Sequence, residues 1–343
     1  MDQKRLIPNL ALRRDFGLPF DVDSIIRVCS IVDYDALVYT GGADIKPSLI
    51  SEISRGKLLL GNIPRTLCAV RNPSILNDVC LKRGINFPQT IEAYGTAEVV
   101  CEGRWLVKPV YGGSGYGIDF YEGGNLKEGF YLQKFVEGSP ASVSFLSDGK
   151  ECRLLGLTEQ LIGEKRLGSS GFQWCGNIYP LVTTTESCLG EVMAGWGQEL
   201  TEAFGLRGLF GVDFVLDAKG RPFLVEINPR YSASMELFEP YVDPFLFTLH
   251  ISACEGRLPE FSVQRPSRFT SKGIVYAKAD VTLPDTRGWL GRRGDVPFPG
   301  EKILKGSPIC TVYGFGESRE SCLSDLYEEA DEVYEELKEV DEG

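Results

Sequence analysis

Apolar and polar positions in the first 90 residues form short apolar runs separated by turn signals. The runs Ala36–Tyr39 and Lys57–Leu60 each stop just before glycine-containing loops, which is typical of buried strands. Residues Ser74–Arg83 have helical spacing and stop before Gly84, a common helix C-terminal signal. This alternation of strand, loop and helix predicts an α/β domain with a parallel sheet over residues 1–90.

The pattern changes to hairpins after Trp105. Strands are predicted at Trp105–Pro109, Gly117–Tyr121, Tyr131–Val136, Ala141–Leu146, 208–216 and 222–227. A helix is predicted over 187–204, and 233–256 is mainly helical in pattern. We therefore expect a largely antiparallel central domain over 91–260, with a small subdomain at about 100–150 and a large one at about 151–260.

Residues 261–343 again alternate between strands and turns. Strands are predicted at 273–279 and 307–312, on either side of a Pro- and Gly-rich loop at 284–300. The strongly acidic residues Asp325–Gly343 carry apolar residues at helical spacing and predict a surface helix, with an acidic interaction tail as the alternative. We expect a β-rich C-terminal segment that ends in this helix.

Composition and charge narrow the classes of function. The net charge is -12, which argues against a general nucleic-acid binder because such a protein needs a basic face. We found neither an apolar run of membrane-spanning length nor a signal-peptide pattern, so we expect a cytoplasmic protein without a membrane partner. The ten scattered cysteines, Cys101 among them, predict mostly buried, reduced thiols. His250 is the sole histidine, which excludes a multi-histidine metal site.

A glycine-rich loop follows the strand at Trp105–Pro109. Positions 112–117 hold four glycines and Ser114. Glycine lets backbone N–H groups approach a phosphate closely and adopt positive φ. Lys108 stands just before the loop, where its ammonium could neutralise phosphate charge. Considered alone, this pattern also fits a flexible hairpin loop.

The strongest group of candidate residues lies on the hairpin around residues 211–228. Asp213 and Glu226 can lie side by side on its two strands, and Asn228 shares the face of Glu226. Such oxygen ligands suit Mg²⁺ with a bound nucleotide. The alternative, a solvated sheet face, is weakened because apolar residues alternate with the acidic ones. Arg230 follows and could hold a carboxylate or stabilise an acyl phosphate.

These motifs resemble the ATP-grasp superfamily in their order and spacing over about 105–237. The resemblance implies that ATP phosphates contact Lys108, Gly112, Gly113, Ser114 and Gly115. It implies that the adenine ring meets the hinge strand at Gln133, Lys134, Phe135 and Val136, although that strand alone would fit a plain edge strand. It implies that Mg²⁺, with Mn²⁺ as an alternative, is bound by Asp213, Glu226 and Asn228, and that Arg230 and Lys108 are catalytic.

Two positions depart from the family pattern. A lysine near residue 74 that contacts phosphates in many members is absent, and Arg71 is the neighbouring candidate for its charge. Pro140 stands where many members carry a ribose-binding glutamate, and Glu137 is the candidate replacement. Three segments, Gly138–Ser144, Phe172–Asn177 and Leu206–Phe214, resemble a subgroup linked to methanofuran and tetrahydromethanopterin biosynthesis, which includes tyramine–glutamate ligases.

The resemblance implies an α/β and α+β protein with the ATP-grasp fold. It implies an ADP-forming ligase that makes an amide from a small-molecule carboxylate and an amine through an acyl phosphate. A phosphotransferase and a non-catalytic nucleotide-binding regulator are the alternatives. Family members are often dimers, so a homodimer is the partner expectation, and no nucleic acid is expected.

Overall fold

The computed structural model describes residues 10–92, 102–183 and 186–341, so Cys101 and the last two residues of the predicted acidic helix lie outside the described residues. The N-terminal region is mainly helical and contains three short strands. Its elements are α1 (Leu12–Phe16), α2 (Val22–Ile31), β1 (Ala36–Leu37), α3 (Pro47–Ile53), β2 (Leu58–Leu59), α4 (Pro64–Arg71), α5 (Pro73–Arg83) and β3 (Thr90–Ile91).

Local sequence explains where these N-terminal elements begin and end. Asp21 caps α2 by accepting a hydrogen bond from the N–H of Ser24 at 2.8 Å. Gly84 ends α5 in the left-handed conformation, at φ 67°. The predicted parallel pairing is confirmed, since Ala36 pairs with Leu58, but it is only two residues long because helices account for most of the chain here.

A four-stranded antiparallel sheet follows, in the order β3-β6-β4-β5. Its remaining strands are β4 (Trp105–Pro109), β5 (Asp119–Phe120) and β6 (Phe130–Lys134). The glycine-rich loop joins β4 to β5. Because β4 pairs with both β5 and β6, the loop and the hinge strand lie in the same small sheet.

The larger sheet has seven antiparallel strands in the order β11-β10-β7-β8-β9-β14-β17. These are β7 (Gly138–Asp148), β8 (Cys152–Ile162), β9 (Trp174–Tyr179), β10 (Arg207–Asp217), β11 (Pro222–Asn228), β14 (Phe269–Tyr276) and β17 (Pro308–Gly316). The short pairs are β12 (Val242–Asp243) with β13 (Ser262–Val263), and β15 (Val281–Thr282) with β16 (Lys302–Ile303). The later helices are α6 (Glu186–Phe204), α7 (Leu246–Cys254) and α8 (Arg319–Asp341).

Sheet membership divides the chain differently from the predicted segments. Strand β7 falls within the predicted small subdomain at about 100–150, yet it pairs along its whole length with β10 in the large sheet. Strands β14 and β17 from the predicted C-terminal segment continue that same sheet through β9. The sequence pattern predicted β7, β10, β14 and β17 but neither β8 nor β9. It did not show which strands pair, because antiparallel partners can be far apart in the chain.

Two apolar clusters cover one side of the large sheet. One joins α5 and α6 to the sheet through residues such as Met193 and Phe210, both fully buried. The other holds α8 against β14 and β17, with Leu326 and Val333 fully buried. The predicted helix at the C-terminus is therefore confirmed, but it packs on the sheet along one face because its apolar positions recur at helical spacing.

Two further properties of the described residues are the state of the cysteine thiols and the hydropathy of the helices. The nine cysteines in this part of the chain are free, and burial raises the pKa of Cys80 to about 12. No helix within the described ranges is both long and apolar enough to cross a membrane.

Candidate functional site

A row of polar side chains crosses the large sheet, with one residue from each of the seven strands. Neighbouring members are register partners except at β7 and β8, where the register partner of Ser142 is Thr158. There the row shifts two residues along β8 to Gln160, whose amide nitrogen donates to the hydroxyl of Ser142 at 2.9 Å. From β11 to β17 the row is Glu226, Asp213, Ser142, Gln160, Asn177, Lys272 and Tyr313. We call it the polar row. All but Tyr313 line one cleft of about 490 Å³.

The carboxylates of the polar row meet at the β10–β11 end. Asp213 and Glu226 are register partners, and the amide nitrogen of Asn228 donates to Asp213 at 2.9 Å. Ser142 also donates to Asp213. Burial, and then the negative charge of Glu226, raise the pKa of Asp213 to about 6. A cation between the two carboxylates would relieve this repulsion.

This oxygen set fits magnesium. It provides two carboxylates and the amide oxygen of Asn228, which now accepts from Arg230 at 3.1 Å. Among residues 10–92, 102–183 and 186–341, no group of three or more His, Cys, Asp and Glu side chains is arranged to hold a metal. Mg²⁺ is usually bound in proteins by one or two carboxylates together with waters and substrate phosphates, so a two-carboxylate site suits it.

Lys108 lies between the small sheet and the carboxylates. Its side chain is buried, and its Nζ donates to Oε1 of Gln133 at 3.0 Å and to the carbonyl of Val225 at 3.4 Å. Gln133 comes from the hinge strand β6, and Val225 precedes Glu226 on β11. The structure thus brings Lys108 and Gln133 together beside the predicted metal site.

The glycine-rich loop is anchored to β9. Ser114 and Gly115 have φ of 53° and 75°, and the carbonyl of Ser114 accepts from the N–H of Trp174 at 3.0 Å. A Cβ on Gly115 would lie 1.9 Å from the carbonyl oxygen of Phe172. Ser114 and Gly115 line the 490 Å³ cleft, whereas Gly112 and Gly113 line a smaller adjoining one.

The hinge residues of β6 and beyond are held by neighbouring segments. Lys134 is exposed, whereas Phe135 and Val136 are half-buried. Phe135 packs edge-on against Phe120 with ring centroids 5.3 Å apart, and the guanidinium of Arg104 lies over both rings. The N–H groups of Lys134 and Phe135 already donate to backbone carbonyls, so an adenine ring would have to meet other backbone groups of this strand.

Asp44, which the sequence analysis missed, connects the N-terminal region to this site. It is fully buried and pairs with Arg71 at 2.5 Å and with Arg230 at 3.1 Å. Arg71 also donates to the carbonyl of Gly112 at 3.2 Å and lies 3.4 Å from Glu226. Arg71 therefore brings a cation to the glycine loop and the carboxylates, close to where the lysine expected from the ATP-grasp resemblance is missing.

The opposite end of the cleft contains a second polar group that the sequence analysis also missed. Lys272 is buried and pairs with Glu236, which also accepts from the hydroxyl of Tyr313 at 2.6 Å. Asp295 lines the same end. In the sequence, Lys272 stands just before the predicted strand 273–279. Only the sheet register shows that its side chain points into the cleft.

Comparisons with known proteins bear on this geometry. Residues 77–234 match the sequence model of the ATP-grasp domain. The structure superposes on the L-amino acid ligase from Bacillus licheniformis with a TM-score of 0.64 and 19% identity, over 91% of this chain and 82% of that one. The chain has the ATP-grasp fold.

Two other relatives extend the comparison. The uncharacterized protein MJ0776 of Methanocaldococcus jannaschii is 23% identical over 98% of this chain and 84% of its own length. The biotin carboxylase domain of 2-oxoglutarate carboxylase from Hydrogenobacter thermophilus, crystallised with MgADP, ADP and bicarbonate, superposes with a TM-score of 0.66 and 15% identity. That match covers 91% of this chain and 76% of that one. The expected ATP-grasp fold is thus confirmed.

Proposed function

We propose that this ATP-grasp protein is a Mg²⁺- and ATP-dependent ligase that joins a small-molecule carboxylate to an amine through an acyl phosphate. The observation that supports this most is the convergence of Asp213, Glu226 and Asn228 with Arg230 in one cleft. Carboxylate oxygens for a metal and a guanidinium for the reacting carboxylate are what phosphoryl transfer to a carboxylate requires.

Each residue has a definable task in this mechanism. Asp213, Glu226 and Asn228 would hold Mg²⁺, which when bound supplies positive charge to the phosphates of ATP. Lys108 lies beside them and stabilises the γ-phosphoryl group as it moves to the substrate carboxylate. Arg230 binds that carboxylate with its planar fork of donors. The amine then attacks the acyl carbon, and phosphate leaves as the amide forms.

The glycine-rich loop protects the acyl phosphate from water. Ser114 accepts a hydrogen bond from Trp174 of β9, Gly115 lies closely against Phe172 just before that strand, and both loop residues line the cleft that contains Glu226. A closed cleft strengthens the electrostatic interactions within it and prevents hydrolysis of a reactive intermediate. The arrangement needs no nucleophilic side chain, which agrees with the single buried histidine of the chain.

Product analysis tests the proposal directly. Purified protein is incubated with MgATP and pools of amino acids and amines, and ADP, phosphate and new amides are measured by coupled assay and mass spectrometry. We expect ADP release that depends on both substrates, and an amide product. A stable phosphorylated product would favour a phosphotransferase, and nucleotide binding without turnover would favour a regulator.

A matched pair of variants connects the activity to the carboxylates. Glu226→Gln keeps the shape of the side chain but removes a metal ligand charge, so we expect turnover to fall by about a hundredfold or more. Glu335→Gln changes an exposed glutamate on α8 and should leave turnover unchanged. Unaltered turnover in Glu226→Gln would contradict the mechanism.

We further propose a role in the biosynthesis of a one-carbon carrier. The support is the likeness of Gly138–Ser144, Phe172–Asn177 and Leu206–Phe214 to ligases of methanofuran assembly. Tyramine with L-glutamate, and pterin or furan precursors, are therefore the first pairs to assay. Lack of any amide from these pairs, together with activity on other amines, would remove this narrower role and leave the ligase proposal intact.

A further inference from the structure

The polar row continues beyond the part that MgATP requires. The proposed metal site uses the row only on β11, β10 and β7. Four more polar side chains follow on β8, β9, β14 and β17, and two of them, Asn177 and Lys272, are 1% and 3% exposed. A sheet face buried under protein would be apolar, so a continuous polar row beneath a cleft indicates a ligand above it.

Lys272 is neutralised within the protein and does not offer its charge to a ligand. Its side chain is 3% exposed, and its Nζ pairs with Oε2 of Glu236. The carboxylate of Glu236, in contrast, is 42% exposed and lines the cleft. The hydroxyl of Tyr313 holds its other oxygen at 2.6 Å. Buried Lys272 and half-buried Tyr313 therefore orient one accessible carboxylate toward the cleft.

The hydrogen-bond donors and acceptors at the far end of the cleft determine which chemical group can bind there. A carboxylate accepts at about four positions, and Glu236 uses two of them for Lys272 and Tyr313. Asp295 lines the same end, with one oxygen accepting from Thr311 at 2.7 Å. Both accessible groups are acceptors with negative charge. A ligand group here must therefore donate hydrogen bonds, and a cationic donor gives the stronger bond.

The separation between the two ends sets the length of the ligand. Strand β14, which carries Lys272, is four strands away from β10, which carries Asp213. At about 4.8 Å between neighbouring strands, the backbones are roughly 19 Å apart. One cleft of about 490 Å³ spans both ends. A ligand that touches both ends must be elongated.

We propose that the far end of the cleft, formed by Glu236 and Asp295 with Lys272 and Tyr313 behind them, binds a protonated amino group of an elongated substrate. The substrate class is therefore one with a cationic group remote from the bond being formed, such as a diamine or an extended basic amino acid. The assignment of this ligand as a substrate rests on the proposed ligase function. Lys272 and Tyr313 are positioning residues.

A matched series of probes tests the subsite. Unbranched α,ω-diaminoalkanes of four to ten carbons are compared with amino alcohols of equal length, which replace one ammonium by a hydroxyl. Binding is measured by isothermal titration calorimetry with Mg²⁺ and a non-hydrolysable ATP analogue. We expect the best-fitting diamine to bind about tenfold or more tightly than its amino alcohol, since hydrogen bonds to charged groups are the stronger ones.

Variants assign that preference to the subsite. In a Glu236→Gln, Asp295→Asn double variant we expect the diamine preference to fall below about threefold, with the affinity for the ATP analogue unchanged. Glu335→Gln on α8 is the control and should keep the preference. Equal binding of both probes to the unaltered protein, no binding of any diamine, or a preference that survives the double variant would each overturn the proposal. Tighter binding of matched dicarboxylates would also overturn it, because Lys272 would then bind a ligand acid.

The ligase proposal can fail independently of this one. Glu226→Gln should lose turnover yet keep the diamine preference, because Glu226 lies at the other end of the polar row. A diamine preference without any amide product would support the subsite proposal and contradict the ligase proposal. Amide formation from substrates without a remote cation, together with no diamine preference, would support the ligase proposal and contradict the subsite proposal.

Discussion

At the scale of single residues, Asp44 contributes a buried charge that two arginines of the candidate site share. Asp44→Asn removes that charge with little change of shape, which leaves Arg71 with Glu226 alone at 3.4 Å and Arg230 without its carboxylate partner and less firmly oriented. Misplaced catalytic groups are costly, so we expect kcat to fall by about tenfold to a hundredfold. Loss of one partner of a buried ion pair should also cost about 3–5 kcal/mol of unfolding free energy.

Steady-state kinetics and urea unfolding together check the Asp44 prediction. The control is Asp33→Asn, since Asp33 is fully exposed and lies 3.7 Å from Lys57; it should change neither quantity. A stability loss with unchanged kcat at saturating substrates would show that Asp44 only joins the N-terminal region to the rest of the chain.

At the scale of elements, the glycine-rich loop depends on one close backbone approach. Gly115 has φ of 75°, and its Cα lies so near Phe172 that an added Cβ would be 1.9 Å from the carbonyl oxygen. Gly115→Ala should therefore displace the loop and raise the KM for ATP about tenfold or more. Gly190→Ala in α6 is the control because its Cβ would meet open space. An unchanged KM in Gly115→Ala would mean that the loop does not cover ATP.

Helix α7 is tied to the sheet by His250. The N–H of Leu209 donates to its Nδ1 at 3.0 Å, so Nε2 carries the proton and donates to the carbonyl of Leu60 at 3.0 Å. Burial holds the pKa of His250 below its usual value. The unfolded chain then binds the extra proton, so His250 contributes stability above about pH 6.5 that is lost as pH falls.

His250→Gln makes this pH dependence measurable, because the chain contains no other histidine. The difference in unfolding free energy between the unaltered protein and the variant should shrink from pH 7.5 to pH 5, by at most about 1.4 kcal/mol per pH unit. Urea titrations at several pH values measure it. A difference that stays constant across this range would show that the histidine is not held neutral.

The same elements show why part of the site could be predicted from the sequence. The carboxylate pair lies on one hairpin that turns at Asp217–Gly220, and a one-residue register shift between Phe214 and Asp213 places Glu226 opposite Asp213. The closeness of the two carboxylates is therefore local and visible in the spacing, whereas the register shift is not. Asp44 and the Lys272–Glu236 pair depend on contacts between separate strands and helices. Neither hydrophobic period nor turn residues specify such distant partners, so only the assembled sheet shows them.

At the scale of the whole molecule, the C-terminal segment completes the central sheet. Strands β14 and β17 extend it, and α8 covers them with Leu326 fully buried. The far end of the cleft, with Lys272 and Tyr313, lies on these two strands. The segment should therefore unfold together with the rest of the sheet.

Leu326→Ala tests whether the C-terminal segment unfolds together with the rest of the sheet. The cavity left under α8 should lower the unfolding free energy by about 2–5 kcal/mol, and the urea transition should stay single because one sheet runs through both apolar clusters. Glu328→Ala, at an exposed position of α8, should shift it by no more than about 0.5 kcal/mol. Tryptophan fluorescence and circular dichroism should give the same transition midpoint. If the two signals separated in the variant, α8 and its strands would melt first, and the far end of the cleft could be lost while the carboxylate end remained folded.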